Sequence, residues 1–312
     1  MIQPLLVCIG EPMLEFNQQP DQGDGRRLYL EGFGGDTSNA AVAAARQGVA
    51  VGYLTALGED AAGERFLDLW RREGIETAGV RRSVDRPTAV YFVTHGDAGH
   101  AFLYYRRDSA ASCYGPADVD TALVRGARVL HASGISQGIS ASAADAVFHA
   151  IGLARAAGVQ VSYDTNFRPR LWPAARAAAV IHAAIAQSDI ALPGLDDAAA
   201  LTGLIDPDAI ADFYLRLGPR IVALKLGAAG VLLATPERRL RIAAHPCRAV
   251  DATGAGDTFA GAFLARLILG DGAEAAARYA VVAAALKCEG FGAVAPIPRA
   301  ARVVAALAHT TA

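Results

Sequence analysis

Short apolar runs alternate with longer stretches of helical period along this chain. Leu5–Ile9, Val51–Leu57, Val129–Ala132, Val159–Asp164, Ile190–Leu192 and Ile221–Leu226 are short, partly β-branched and bounded by Gly, Asp or polar residues. These are the marks of buried strands. Between them, Thr37–Gln47, Gly63–Glu73, Ala141–Ala157, Ala174–Gln187 and Ile210–Leu217 carry a helical pattern. The alternation predicts right-handed βαβ units, and so an α/β fold with a mainly parallel central sheet and helices on both faces. The last third of the chain predicts helices at Ala255–Leu269, Ala273–Lys287 and Arg299–Ala308.

Two regions break the pattern. Residues 12–33 are polar and turn-rich. Residues 87–107 predict two strands, Thr88–His95 and Ala101–Arg107, about the turn Gly96-Asp97-Ala98-Gly99. Together they predict a small β lid over the edge of the main sheet, with two ordinary edge hairpins as the alternative. There is no internal repeat and no low-complexity linker, so residues 1–312 are expected to form one domain that carries this lid.

Composition narrows the function. Apolar residues make up 53%, and the formal net charge is −2. No overall basic field draws in nucleic acid or anionic lipid, so any anion site is local. Cys8, Cys113, Cys247 and Cys288 form no CxxC pair. They read as reduced core thiols of a cytosolic protein rather than a zinc or redox motif. The longest apolar stretch, near Ala275–Leu286, carries Arg278 and falls short of the ~20 residues that span a bilayer. The first residues read as a strand rather than a signal peptide, which points to a soluble, cytoplasmic protein.

The sharpest chemistry lies in Asp251-Ala252-Thr253-Gly254-Ala255-Gly256-Asp257. Gly254, Ala255 and Gly256 are small enough for backbone to approach a ligand, and they open an apolar helical stretch. The first N–H groups of a helix lack intrahelical partners and face outward at its positive end, which suits a phosphate. Asp257 falls in the first turn beside that anion site. A carboxylate there can take a proton from a hydroxyl attacking a phosphoryl group. A Gly-rich turn with a structural aspartate fits the local sequence equally. Neither Lys225 nor Lys287 is followed by Ser or Thr, so there is no Walker A motif. The GxGxxA-like runs at 270–275 and 290–295 lack the strand-to-helix setting of a dinucleotide fingerprint.

A second motif, Gly34-Gly35-Asp36-Thr37-Ser38-Asn39, leads into the first helix. The two motifs, in this order and some 220 residues apart, resemble the paired signatures of the ribokinase-like, or PfkB-type, carbohydrate kinases. The likeness covers nearly the whole chain, including Gly10-Glu11 and Lys225-Leu226-Gly227-Ala228-Ala229-Gly230. Within the family, the 2-keto-3-deoxygluconate kinases are the nearest likeness. It rests on Tyr104-Tyr105-Arg106 with Ser109–Ser112, on Asp164-Thr165-Asn166-Phe167-Arg168 with Leu171-Trp172, and on the Gly-Gly-Asp-Thr-Ser-Asn form of the first motif.

The resemblance implies ATP-dependent phosphorylation with Asp257 as base and backbone N–H groups at 254–256 stabilising the transferring phosphoryl. It places Gly34, Tyr91, Tyr104, Arg106, Arg168 and Glu289 at the sugar, the two arginines suiting a substrate carboxylate. It places Asn166, Arg168, Lys225, Gly227, Gly230, Gly254 and Gly256 at ATP. Magnesium is implied, with Asp196 as its carboxylate, although the family's Asn-x-x-Glu pattern is missing at Pro193-Gly194-Leu195-Asp196-Asp197. Asp251 and Thr253 are the implied holders of a monovalent cation such as K+, and a homodimer through the lid is the implied assembly. A kinase for fructose or another keto-sugar acid, or a non-catalytic sugar or nucleotide sensor, are the alternatives.

Overall fold

The computed structural model describes residues 3–20, 23, 26–96 and 99–310. Asp97 and Ala98 of the predicted turn lie outside the described residues. The chain begins β1 (Leu6–Ile9), β2 (Met13–Gln18), β3 (Tyr29–Gly34), α1 (Asp36–Arg46), β4 (Val51–Gly58) and α2 (Ala61–Glu73). It continues β5 (Val80–Ser83), β6 (Val90–Gly96), β7 (Gly99–Tyr105), α3 (Thr121–Gly126), β8 (Val129–Ser133), α4 (Gly134–Gly138) and α5 (Ala141–Ala156). Then come β9 (Gln160–Asp164), α6 (Ala174–Ile185), β10 (Ile190–Ala191), α7 (Leu195–Thr202), α8 (Pro207–Leu217) and β11 (Ile221–Lys225). The last elements are β12 (Val231–Ala234), β13 (Arg239–Ile242), α9 (Ala255–Ile268), α10 (Ala273–Cys288) and α11 (Ala300–Thr310).

The main sheet has nine strands in the order β13-β12-β11-β10-β9-β8-β1-β4-β5. Its pairings are parallel except β11–β12 and β12–β13. Successive residues of each strand serve opposite faces. In β1, Leu6 and Cys8 join a core with α1, α2, α9 and α10, while Val7 and Ile9 join one with α5, α6 and α8. Burial on both faces is why these strands read as continuous apolar runs.

The predicted strands and helices form close to their predicted ends. The alternation did not disclose β5, β12 or β13. Among the four cysteines only Cys8 is buried, and Cys113 and Cys247 are exposed, which corrects the expectation of core thiols.

The two irregular regions pair into a second, four-stranded sheet of order β3-β2-β6-β7. Phe16 stacks on Phe92 across it, with ring centroids 5.2 Å apart. The expected pairing of the two irregular regions into one small sheet is thus borne out, with residues 12–33 supplying β2 and β3 and residues 87–107 supplying β6 and β7. Among the described residues no helix is long and apolar enough to cross a membrane.

Candidate active site

Helices α1 and α9 bring the two sequence motifs together. They pack closely because Gly261 lies against Ala40: a Cβ at Gly261 would sit 2.2 Å from the Ala40 carbonyl oxygen. This approach sets Asn39, in the first turn of α1, beside Asp257, in the first turn of α9. The Asn39 Nδ2 donates to Asp257 Oδ2 at 2.8 Å.

Gly254 caps α9 in the left-handed conformation, φ 77°, and its missing side chain would meet Ala293 at 3.1 Å. A residue with a Cβ would be strained there. The Ala255 N–H is spent on the Ala252 carbonyl at 3.1 Å. The Gly256 and Asp257 amides keep no backbone partner among the described residues, so they are the free donors of the first turn.

Three carboxylates gather here. Asp36 opens α1 and is buried; its Oδ2 accepts from Asn166 Nδ2 at 2.8 Å, and its Oδ1 has no partner among the described residues. Asp164 ends β9 and pairs with the Lys225 ammonium at the end of β11. The Lys225 Nζ lies 3.4 Å from where a Cβ of Gly256 would stand, which puts this cation at the mouth of the anion site. Asp257 is the third. Burial pushes its carboxyl up to about 7, and Asp36 and Asp164 add to the rise, while the Asn39 hydrogen bond and Lys225 oppose it.

A cavity of about 560 Å³ opens beside these groups. Lys225, Gly227 and Gly230 line one side, Ala255 and Gly256 the floor, and Phe259 and Val281 the apolar wall. Asp196 and Asp197 lie at its rim. Asp196 is exposed, whereas Asp197 is half-buried. Burial pushes the Asp197 carboxyl up, with Arg168, Asp164 and Lys225 all within electrostatic reach. Both aspartates therefore line the cavity, the expected Asp196 the more exposed and Asp197 the more buried of the two. Asn166 holds an unusual positive φ of 27°, which an asparagine tolerates, and its amide reaches across to Asp36. Arg168 is exposed and donates to the Phe167 carbonyl oxygen at 2.9 Å.

On the lid side, Gly34 lets β3 press against Tyr91: a Cβ there would sit 2.7 Å from the tyrosine hydroxyl. The Tyr91 hydroxyl donates to Glu15, and its ring stacks on Tyr104 at 5.7 Å. Arg106 forms an ion pair with Glu11, which is wholly buried. Its Nε–H is buried without a partner among the described residues, so the guanidinium retains a donor. The structure gives the two arginines different neighbours: Glu11 for Arg106, and Asp36 with Asp197 for Arg168.

Two further expected site residues are engaged by partners within the protein. Glu289 pairs with Arg302 of α11 at 2.7 Å and, among the described residues, makes no hydrogen bond or ion pair to the lid or to Asp257. Its place at the C-terminal cap of α10 turns it to that surface pair. Asp251 has both carboxylate oxygens bound by backbone amides, Thr253 N–H at 2.8 Å and Gly292 N–H at 2.9 Å. Burial raises its carboxyl, but these bonds outweigh it and hold the group below the usual range. Among the described residues no group of three or more His, Cys, Asp or Glu side chains is arranged to hold a metal by itself.

Sequence reasoning gave no role to Glu11, Glu15, Asn39 or Asp197. Asp36 and Asp164 were quoted only as parts of motifs. The signal was present for Asp36 and Asn39, which lie in the glycine-rich motif itself.

A family model described as pfkB family carbohydrate kinase matches residues 3–300. A protein named 2-dehydro-3-deoxygluconokinase from Thermoproteus tenax is 32% identical over 287 residues, covering 90% of this chain and 87% of that protein. A protein named probable fructokinase-5 from Arabidopsis thaliana is 30% identical over 271 residues, covering 85% and 83%. Among solved structures, a PfkB protein from Polaromonas sp. JS666 superposes with a TM-score of 0.86 at 32% identity, covering 96% of this chain and 99% of that one.

Proposed function

The chain belongs to the pfkB family of carbohydrate kinases, and on that premise we propose that it transfers the γ-phosphoryl of ATP to the terminal hydroxyl of 2-keto-3-deoxygluconate. The product is the 6-phosphate. The observation that carries the mechanism is Asp257: a carboxyl pushed up to about 7 beside unpartnered first-turn amides.

ATP lies along the cavity between β11 and the α9–α10 pair, its base against the apolar wall. Its phosphates reach the Gly256 and Asp257 amides and the Lys225 ammonium. Asp257 takes the proton from the sugar hydroxyl as that oxygen attacks the γ-phosphorus, and the bond to the β-phosphate oxygen breaks. The free amides stabilise charge on the transferring group. Magnesium fits at Asp197, a half-buried carboxylate at the cavity rim that forms no ion pair among the described residues. Bound there, it would neutralise phosphate charge, which is the chemistry it would supply to the transfer. The lid of β2, β3, β6 and β7 excludes water from the transfer. The free Nε–H of Arg106 and the exposed Arg168 supply the carboxylate contacts that a sugar acid needs.

Support for this substrate comes from the Thermoproteus tenax relative by name. A second reading, a fructokinase, is favoured by the full ion pair of Arg106 with Glu11, which leaves little free positive charge under the lid. A panel of 2-keto-3-deoxygluconate, fructose, ribose and other keto-sugar acids with Mg-ATP decides between them. A higher kcat/KM for fructose, unchanged in Arg106→Ala, overturns the sugar-acid reading. Binding of sugar and ATP without any phosphorylated product overturns catalysis. We also infer a homodimer through the lid. Leu30, Phe102, Leu103 and Tyr105, on the edge strands β3 and β7, are exposed apolar side chains on unpaired edges.

A further inference from the structure

The loop that leads into α9 is tied to the end of α10 by a buried cation. Lys287 is one of only two lysines in the chain, and none of its surface reaches solvent. Its ammonium donates to the Asp251 carbonyl oxygen at 2.7 Å. Backbone bonds complete the junction: the Val250 and Asp251 amides both donate to the Cys288 carbonyl, at 2.7 and 3.1 Å. The strand of chain entering the Gly254 cap is therefore held from α10 by one charged side chain and one shared carbonyl.

An ammonium buried with so few acceptors is costly, by several kcal/mol. The rest of this helix is mostly alanine and valine, so packing alone favours an apolar residue at 287. The charge also reaches the chemistry, since Asp251, Asp257 and Glu15 all lie within its electrostatic range. Its position coincides with the site where family likeness implies a monovalent cation at Asp251 and Thr253. The donors there do not fit a free ion. Both Asp251 carboxylate oxygens accept backbone amides, and its carbonyl accepts the Lys287 ammonium.

We propose that Lys287 is the resident monovalent cation of this site, a positioning residue whose ammonium fixes the 250–254 loop and with it the anion-binding turn of α9. The enzyme accordingly needs no free potassium or sodium. The proposal rests on carbohydrate kinase activity and is indifferent to which sugar is used.

The test combines wild-type protein with Lys287→Met in potassium, sodium or tetramethylammonium chloride at equal ionic strength. Wild-type kcat/KM for ATP is expected to agree within about twofold across the three salts. A misplaced anion turn costs on the order of 100-fold, so Lys287→Met loses about 10- to 100-fold in tetramethylammonium and regains part of it in potassium chloride. A loss of equal size in every salt, or no loss at all, overturns the proposal. Thermal unfolding of the wild-type protein without sugar or nucleotide gives a readout independent of activity and of the variant's folding. No potassium-specific rise in Tm is expected, because nothing binds. A potassium-specific rise, or a tenfold potassium activation of the wild-type enzyme, overturns it.

Discussion

Replacing Asp257 with asparagine keeps the shape of the side chain and removes the base. A positioned general base is worth about 10²–10⁴-fold, so kcat falls by that factor while the KM values for ATP and sugar change little. The pH profile carries more information. Burial first, and then Asp36 and Asp164, push the Asp257 carboxyl up to about 7 against the pull of Asn39 and Lys225. Wild-type kcat/KM therefore rises with pH to a plateau above 7, and at pH 6 it lies about tenfold below that plateau. Stability moves the other way. The folded value stands above the ordinary 3.8, so the fold favours the neutral carboxyl. That contribution is complete below about pH 4 and is lost as pH rises through 7. At about 1.4 kcal/mol per tenfold change in proton affinity, the loss is capped at about 4 kcal/mol. Solvent contact at the half-buried carboxyl brings the expected figure to about 1–2 kcal/mol. Asp257→Asn should thus unfold a few degrees higher than wild type at pH 8 and at nearly the same temperature at pH 4. A coupled ATP-consumption assay across pH, with calorimetry of both proteins, checks each limb. Turnover within tenfold of wild type by a folded Asp257→Asn, or an acid limb near pH 4, refutes the reasoning.

Removing the Asn39 amide in Asn39→Ala takes away a hydrogen bond that favours the ionised base, so the acid limb of the pH–rate profile shifts upward and activity at pH 7 falls more than at pH 8.5. Arg106→Ala leaves Glu11 buried without its cation, which costs about 3–5 kcal/mol in thermal or urea unfolding. Because burial raises the Glu11 carboxyl, that loss grows as pH rises, and Glu11→Gln with Arg106→Met recovers most of it. Leu103→Lys, on the exposed lid edge, converts a lid-mediated dimer to monomer in sedimentation equilibrium; an unchanged mass at the dimer value places the interface elsewhere.

The main sheet was legible because its strands are covered on both faces, as Leu6 with Cys8 and Val7 with Ile9 show. The lid strand β2 was hidden for the opposite reason. Its Glu15 and Asn17 break the apolar run, yet Glu15 is buried because Tyr91 satisfies it. Asp257 was legible from its turn, but its proton affinity was not. That depends on Asn39, 218 residues away, and on Asp36, which is itself held by Asn166, 130 residues away. Glu289 misled because sequence gives the end of a helix but not the direction its last side chain takes. Two adjacent aspartates in a first helical turn point about 100° apart, and the sequence does not show that Asp197 is the more buried of the pair.

The crowding of Asp36, Asp164 and Asp257 has a consequence for the order of events. One unit charge at ~5 Å is worth about 3 kcal/mol at the effective dielectric of such a site. A nucleotide entering without its counterions brings several negative charges toward Asp257 and drives its carboxyl further toward the protonated form. The base would then be disabled by its own substrate. Lys225 is already committed to Asp164 and cannot offset this alone. Neutralisation must therefore arrive with the nucleotide, helped by Arg168 above the Asp36 and Asp197 carboxylates. Until it does, a carboxyl already pushed up to about 7 is driven further toward its protonated form, and a smaller share of it is ionised to activate sugar or water. The same like-charge packing that makes Asp257 basic enough for transfer thus lowers the activity of the half-filled site.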